Sequence, residues 1–294
     1  MADGFSVSEI PPLRSPIVIL AFTGWSDTGT VSIDAAQRLI DHFNAERFLE
    51  VDPEDYYVFT DTRPTVSLTE EGLRELNWPT NEAWAARLEG APNDLIIVKG
   101  SEPNFRWLTF ANRFADAIMA HNPTLSCTIG ARPAPTPHTR PIPVNGSSAD
   151  PALARRFGLG PSRYQGPTGI VGVLHEVLRK RGLGLISLFA NVPHYLNVSE
   201  NPPGTLALLR ALEPVIGMPA PVGDLEEEGV RFIERVEEAS RGDDQIGGYI
   251  RTLEDQYGDT TTFDEPEQEA TADLPSADDI LRDVEDLLRG GSDT

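Results

Sequence analysis

The feature that most constrains this chain is the recurrence of short apolar runs, each followed by a helical stripe. Ile17-Val18-Ile19-Leu20-Ala21-Phe22 has no polar residue, so a strand built from it must be covered on both faces. After Gly24 and Gly29, the residues Val31, Ala35, Leu39 and Phe43 recur at four-residue spacing, the signature of one helix face. Asp94 to Gly100 repeats the pattern, and Pro103-Asn104 is expected to open a helix whose stripe holds Leu108, Phe114 and Ile118. Further strands are predicted over 125–129 and 185–190, and helices over 168–181 and 206–216. An irregular proline-rich loop is predicted over 132–144. This order predicts an α/β fold, three α/β/α layers around a mostly parallel mixed sheet.

Charge narrows the partners. The 294 residues carry 46 acidic and 24 basic side chains, a net charge of −22. That surplus opposes nucleic acid phosphates and anionic lipid surfaces, so neither nucleic acid nor membrane is an expected partner. No stretch approaches the roughly 18 uncharged apolar residues of a membrane span. No basic patch leads into an apolar segment at the start, so a soluble cytoplasmic protein is expected. The lone Cys127 excludes an internal disulfide, and no HExxH, Cys/His cluster or calcium-loop pattern is present. Neither a metal nor a cofactor is expected.

The acid is concentrated at one end: residues 221–294 hold 23 of the acidic and only 6 of the basic side chains. A boundary is therefore expected near Pro219-Ala220-Pro221, dividing an α/β domain over 1–220 from an acidic helical extension over 221–257. The extension is marked by Val230, Ile233, Val236 and Ile246. Residues 258–273 read as a flexible acidic linker. Residues 274–294 read as a short amphipathic helix and tail, with Ile280, Leu281, Val284, Leu287 and Leu288 on one face. So short a helix needs a surface to dock on, either the body or another chain.

Chemistry in such folds gathers in the loops at the C-terminal ends of the strands. Thr23-Gly24-Trp25-Ser26-Asp27 offers a hydroxyl and a carboxylate at a helix start, although Ser26 or Asp27 could equally serve as a helix cap. Gly166 to Gly172 spaces its glycines like a weak phosphate loop; there Thr168 is expected to cap a helix and Gly169 to let it lie close to the sheet. Asn191 to Tyr195 places His194 and Tyr195 after a strand, and His138 sits in the proline-rich loop. Gly100 to Asn104 is the fourth loop. Should the loops converge, Thr23, Trp25, Ser26, Asp27, Asn104, His138, Thr168, Gly169, His194 and Tyr195 would line one pocket. Two functions stay open on the residues: a protein-binding scaffold, or an enzyme acting on a small molecule with Asp27, Asn104 and His194. The enzyme would be a hydrolase, a phosphorylase-like transferase or a carboxylate–amine ligase.

Several segments together resemble the PAC2 family, the proteasome assembly chaperone 2-like proteins, in its actinobacterial branch. They are Ile19 to Asp27, Asp61-Thr62-Arg63-Pro64-Thr65-Val66, Leu76-Asn77-Trp78-Pro79 and Val98 to Asn104, followed by Pro137-His138-Thr139-Arg140-Pro141, Gly166 to Gly172 and Val192-Pro193-His194-Tyr195. The resemblance implies a phosphorylase/hydrolase-like three-layer domain with a helical C-terminal part. It also implies self-association into a homo-oligomer and protein partners, proteasome subunits among them, with no catalytic residues to carry over. The chain ends Gly291-Ser292-Asp293-Thr294, so docking through a hydrophobic-Tyr-any tail is not expected.

Overall fold

The computed structural model describes residues 4–257, apart from 70, 162, 163, 197, 242 and 243. Ten strands are defined among them: β1 (Phe5–Val7), β2 (Ile17–Thr23), β3 (Glu46–Val51), β4 (Thr65–Leu68), β5 (Arg74–Asn77), β6 (Asn81–Ala86), β7 (Leu95–Ser101), β8 (Leu125–Ala134), β9 (Val144–Ser147) and β10 (Gly184–Pro193). The helices are α1 (Val31–His42), α2 (Trp107–Met119), α3 (Pro151–Phe157), α4 (Ile170–Lys180), α5 (Pro202–Ile216), α6 (Leu225–Ser240) and α7 (Asp244–Tyr257). Eight strands form one sheet in the order β1-β3-β6-β7-β2-β8-β10-β9, while β4 and β5 pair apart from it as a hairpin. The four central strands β7, β2, β8 and β10 run parallel, and the strands flanking them are antiparallel.

The apolar run of β2 is buried throughout because its alternate side chains feed two cores. Ile17, Ile19 and Ala21 pack with α1 and α5, together with Cys127, Ile129 and Ile186. Val18, Leu20 and Phe22 pack on the opposite face with α2 and α4, where Phe22, Phe110 and Phe114 meet edge to face or tilted. The layered expectation holds: helices cover both faces of one sheet.

Several boundaries moved for identifiable reasons. Strand β8 continues to Ala134 and β10 to Pro193, in register through Arg132↔Asn191, Pro133↔Val192 and Ala134↔Pro193. Strand β2 pairs with β8 only as far as Leu20↔Thr128. Beyond that point β8 has a free side, and a proline there forfeits no ladder bond. The irregular stretch is thus shorter than the proline count suggested. Helix α2 starts at Trp107, and Leu108 in its first turn is exposed rather than part of the stripe, which runs Phe110, Ala111, Phe114, Ala115, Ile118. Helix α5 begins four residues early, at a Pro-Pro pair, with the Asn201 side chain accepting from Gly204 N–H at 2.9 Å. In the extension, Val230 is exposed, whereas Phe232, Val236, Ile246, Ile250 and Leu253 pack on Tyr195 and Leu196. Residues 258–294, and with them the expected linker and terminal helix, lie outside the described residues.

At the end of the sheet opposite the candidate loops, Asp94 ties the N-terminal segment down. Its carboxylate accepts from Arg14 N–H at 2.7 Å, from the Arg14 guanidinium at 2.7 Å and from Leu88 N–H at 3.1 Å. Desolvation pushes this carboxyl up, but the bonds from Arg14 and Leu88 outweigh it and hold it below the usual carboxylate range. A carboxyl depressed on folding stabilises the native state above its unfolded value and loses that contribution as the pH falls. Asp94→Ala is expected to cost about 2–3 kcal/mol at pH 7, since charged hydrogen bonds are removed. The gap to wild type in urea midpoint should narrow on acidification to pH 3; a constant gap would refute this.

Candidate functional site

The point where the connections part on either side of β2 is where an α/β sheet opens a crevice. Here two carboxylates of the chain, Asp27 and Glu102, accept from the amides that open α1 and α4. Gly24, at φ 111°, turns the chain sharply after β2, and the Asp27 N–H returns to the Gly24 carbonyl. The tip of this turn leaves the Trp25 ring 69% exposed. Ser26 is held by its carbonyl, which accepts from Ala131 N–H of β8 at 2.9 Å. The Asp27 carboxylate accepts from Ser32 N–H at 2.8 Å and Ile33 N–H at 3.4 Å. It therefore caps α1, satisfying amides that a helix start leaves open.

A second carboxylate does the same for α4. Glu102 Oε2 accepts from Ile170 N–H at 2.7 Å, while the Glu102 N–H donates to the Thr23 carbonyl at 3.1 Å. Thr168 does not cap this helix: the cap position falls on Gly169 and no local side chain serves it. Gly169 is required by close approach, since a Cβ there would stand 2.4 Å from Glu102 Oε2 and 3.3 Å from Trp25 Cβ. Thr23, Trp25 and Gly169 thus lie around Glu102, which sequence reasoning passed over, while Ser26 and Asp27 of the same turn engage β8 and α1. Asn104 lies beyond Glu102 in the same loop, exposed but tied to the segment around Val58. Its Oδ1 accepts from Val58 N–H at 2.8 Å, and its own N–H donates to the Tyr56 carbonyl. Beneath it, the buried Asn81 bonds the Tyr57 hydroxyl and Ser101 N–H, fixing the end of β7.

His138, His194 and Tyr195 form a separate group under α7. The His194 Nδ1–H donates to the Ala134 carbonyl at 2.9 Å, which leaves Nε2 to accept the Tyr249 hydroxyl at 2.9 Å. The Tyr195 hydroxyl accepts from His138 N–H at 2.7 Å and reaches His138 Nδ1 at 2.8 Å. His138 Nε2 is buried with no hydrogen-bond partner among the described residues. Burial lowers the His138 imidazole from its ordinary value, against the pull of Glu237 and Glu254. Burial raises the Tyr195 and Tyr249 phenols. Ser26 and His194 touch β8 at Ala131 and Ala134, three residues or about 10 Å along the strand.

The acid–base candidates are each engaged by other parts of the chain: Asp27 on α1, Asn104 on Val58, His194 between Ala134 and Tyr249. A groove of about 550 Å³ between α1, the start of α5 and α6 is lined by Asp34, Arg38, Glu228 and Arg235 among others, and by none of the sequence-selected residues. No cluster of three or more metal-ligating side chains occurs among the described residues. No described helix is long and apolar enough to cross a membrane. What the crest does offer is apolar surface. Trp25, Phe105 and Tyr164 are exposed on its loops and Leu108 on the first turn of α2, and the hairpin adds Val66, Leu68, Leu73, Leu76 and Trp78.

Desolvation pushes the Asp27 carboxyl up to about 6, despite the amides of Ser32 and Ile33 that favour its charged form. A carboxyl raised on folding takes up more protons in the native state, so stability falls as the pH climbs from near 4 to about 6. Asp27→Asn keeps an acceptor for the helix without the charge. It is expected to be more stable than wild type at pH 7 by about 1–2 kcal/mol, part of the pKa equivalent because the group is half-buried. Denaturant titrations should show the advantage vanishing by pH 4, and an advantage independent of pH would refute it.

Among curated proteins none matches this chain. A PAC2 family protein from Streptomyces avermitilis is 40% identical, with a TM-score of 0.72, covering 80% of this chain and 99% of that one. A proteasome-assembly chaperone homologue of Mycobacterium tuberculosis is 36% identical, with a TM-score of 0.71 and the same coverage. An archaeal proteasome activator from Pyrococcus furiosus shares the fold at 20% identity and a TM-score of 0.65, over 82% of this chain and 100% of that one. The PAC2 family model matches residues 21–240, and with these similarities the chain belongs to the PAC2 family.

Proposed function

We propose that this chain is a non-enzymatic chaperone or assembly scaffold that binds protein partners through its crest, working in the cytoplasm as a homo-oligomer. The observation that carries the reading is an inversion of what an active site needs. Asp27, Glu102 and His194 are engaged in internal bonds, and large apolar side chains turn outward. Exposed aromatic and aliphatic groups on rigid, internally bonded loops suit protein recognition, because little entropy is lost when they are covered. The 36% identical relative, a proteasome-assembly chaperone homologue, supports proteasome subunits as the partner class.

Size-exclusion chromatography with light scattering, on the chain alone and with purified proteasome α-subunits, tests this directly. The expected results are an oligomer at micromolar concentration and a stoichiometric complex with the subunits. Trp25→Ala and Leu108→Ala should each weaken that complex about tenfold or more, as anchors near the centre of an interface do. Both side chains are exposed, so loss of folding would not explain the result. A strict monomer would overturn the homo-oligomer. Absence of any complex, or a complex indifferent to both substitutions, would overturn crest-mediated binding.

A further inference from the structure

The β4–β5 hairpin is amphipathic yet uncovered on both faces. Pairing Val66↔Leu76 and Leu68↔Arg74 puts Val66, Leu68 and Leu76 on one side with Arg74. Thr65, Ser67, Glu75 and Asn77 take the other side, where Asn77 Nδ2 donates to Ser67 Oγ at 2.9 Å. Every residue of both strands is exposed. With the exposed Trp78 next along the strand, this side is a contiguous apolar surface of the kind that marks an interaction site. Alternation of this kind belongs to a sheet with one face packed, and a two-stranded hairpin is marginal without such packing.

The same chain owns a second apolar face in need of cover. Ile280, Leu281, Val284, Leu287 and Leu288 recur at helical spacing in a segment too short to hold a helix alone. Geometry permits the two to meet. The last described residue, Tyr257, donates its hydroxyl to the Pro141 carbonyl at 2.6 Å, in the loop that leaves the C-terminal end of β8. The hairpin is rooted at the end of β7: Phe59 packs on Trp78, and the neighbouring Val58 is held by Asn104. Pro141 lies two residues before Pro143, whose carbonyl accepts from Asn191 of β10, and Trp78 leads into β6 beside β7, so the two roots lie on one crest, three to five strand spacings or about 15–25 Å apart across the sheet. The intervening residues 258–273, taken as a flexible chain, span about 20–25 Å on average. Tethering at that length supplies a millimolar effective concentration, enough for a modest apolar contact.

We infer that residues 274–290 dock as a helix across the Val66–Leu68–Leu76 face of the hairpin of the same molecule. The contact stands or falls independently of partner binding at the crest, and a partner that takes the hairpin must first displace the tail.

Disulfide trapping in the full-length chain tests the docking. The one native cysteine, Cys127, is buried, and burial raises its thiol, so it does not compete. Leu76→Cys with Val284→Cys places thiols on the two apolar faces. Glu75→Cys with Val284→Cys is the control, since neighbouring strand residues share the tether but face opposite ways. The expected result is an intramolecular disulfide forming about tenfold faster in the first pair than in the control. Equal rates would overturn the docking. Bonds joining light to heavy chains in an isotope-mixed sample would also overturn it, assigning the face to a second copy. As a second readout, Leu281→Asp with Leu288→Asp should speed amide exchange over residues 65–77 about tenfold, whereas unchanged exchange would refute the contact.

Discussion

Two carboxylates from crest loops hold the upper ends of this fold together. Asp27 reaches the amides that open α1, and Glu102 crosses from the end of β7 to the amide that opens α4. The helices they anchor lie on opposite faces of the sheet, so these two side chains stitch the three layers together at the crest. Helix starts draw negative charge because their first amides lack partners. In this chain that demand is met from within. For Asp27 the desolvation is large enough to raise the carboxyl to about 6.

The same economy recurs across the crest. His194 spends both ring nitrogens on Ala134 and Tyr249, Tyr195 binds His138, and Tyr57 and Asn81 lock the end of β7. A loop whose polar groups are satisfied internally is rigid and presents mainly its apolar side chains to solvent. The exposed Trp25, Phe105 and Leu108 follow from the same constraint. Helices α6 and α7 extend it by covering the proline–histidine–tyrosine corner with Phe232, Ile246 and Ile250.

Parts of this were legible in the residues. The run from Ile17 to Phe22 required cover on both faces and has it. Asp27 before a helical stripe signalled a cap, and it caps from four positions ahead of the first helical residue. The hairpin and the antiparallel strands β3 and β6 gave weaker signals. Segments such as Asn81–Ala86 carry few β-branched residues and earn their place by pairing with β7, a non-local condition that no window of sequence contains. Leu108 and Val230 matched a helical period and yet stand exposed, because period alone does not say where the opposing surface ends.

The sequence by itself determined the layered class, the acidic bias of the final quarter and the loops that carry polar residues, since these follow from local periodicity and composition. Only the tertiary structure decided what those polar residues do. Glu102 and Ile170 are 68 positions apart, and His194 and Tyr249 are 55 apart. Whether such a pair meets depends on strand order and register, and a carboxylate or imidazole fastens two elements once a distant amide or hydroxyl donates to it.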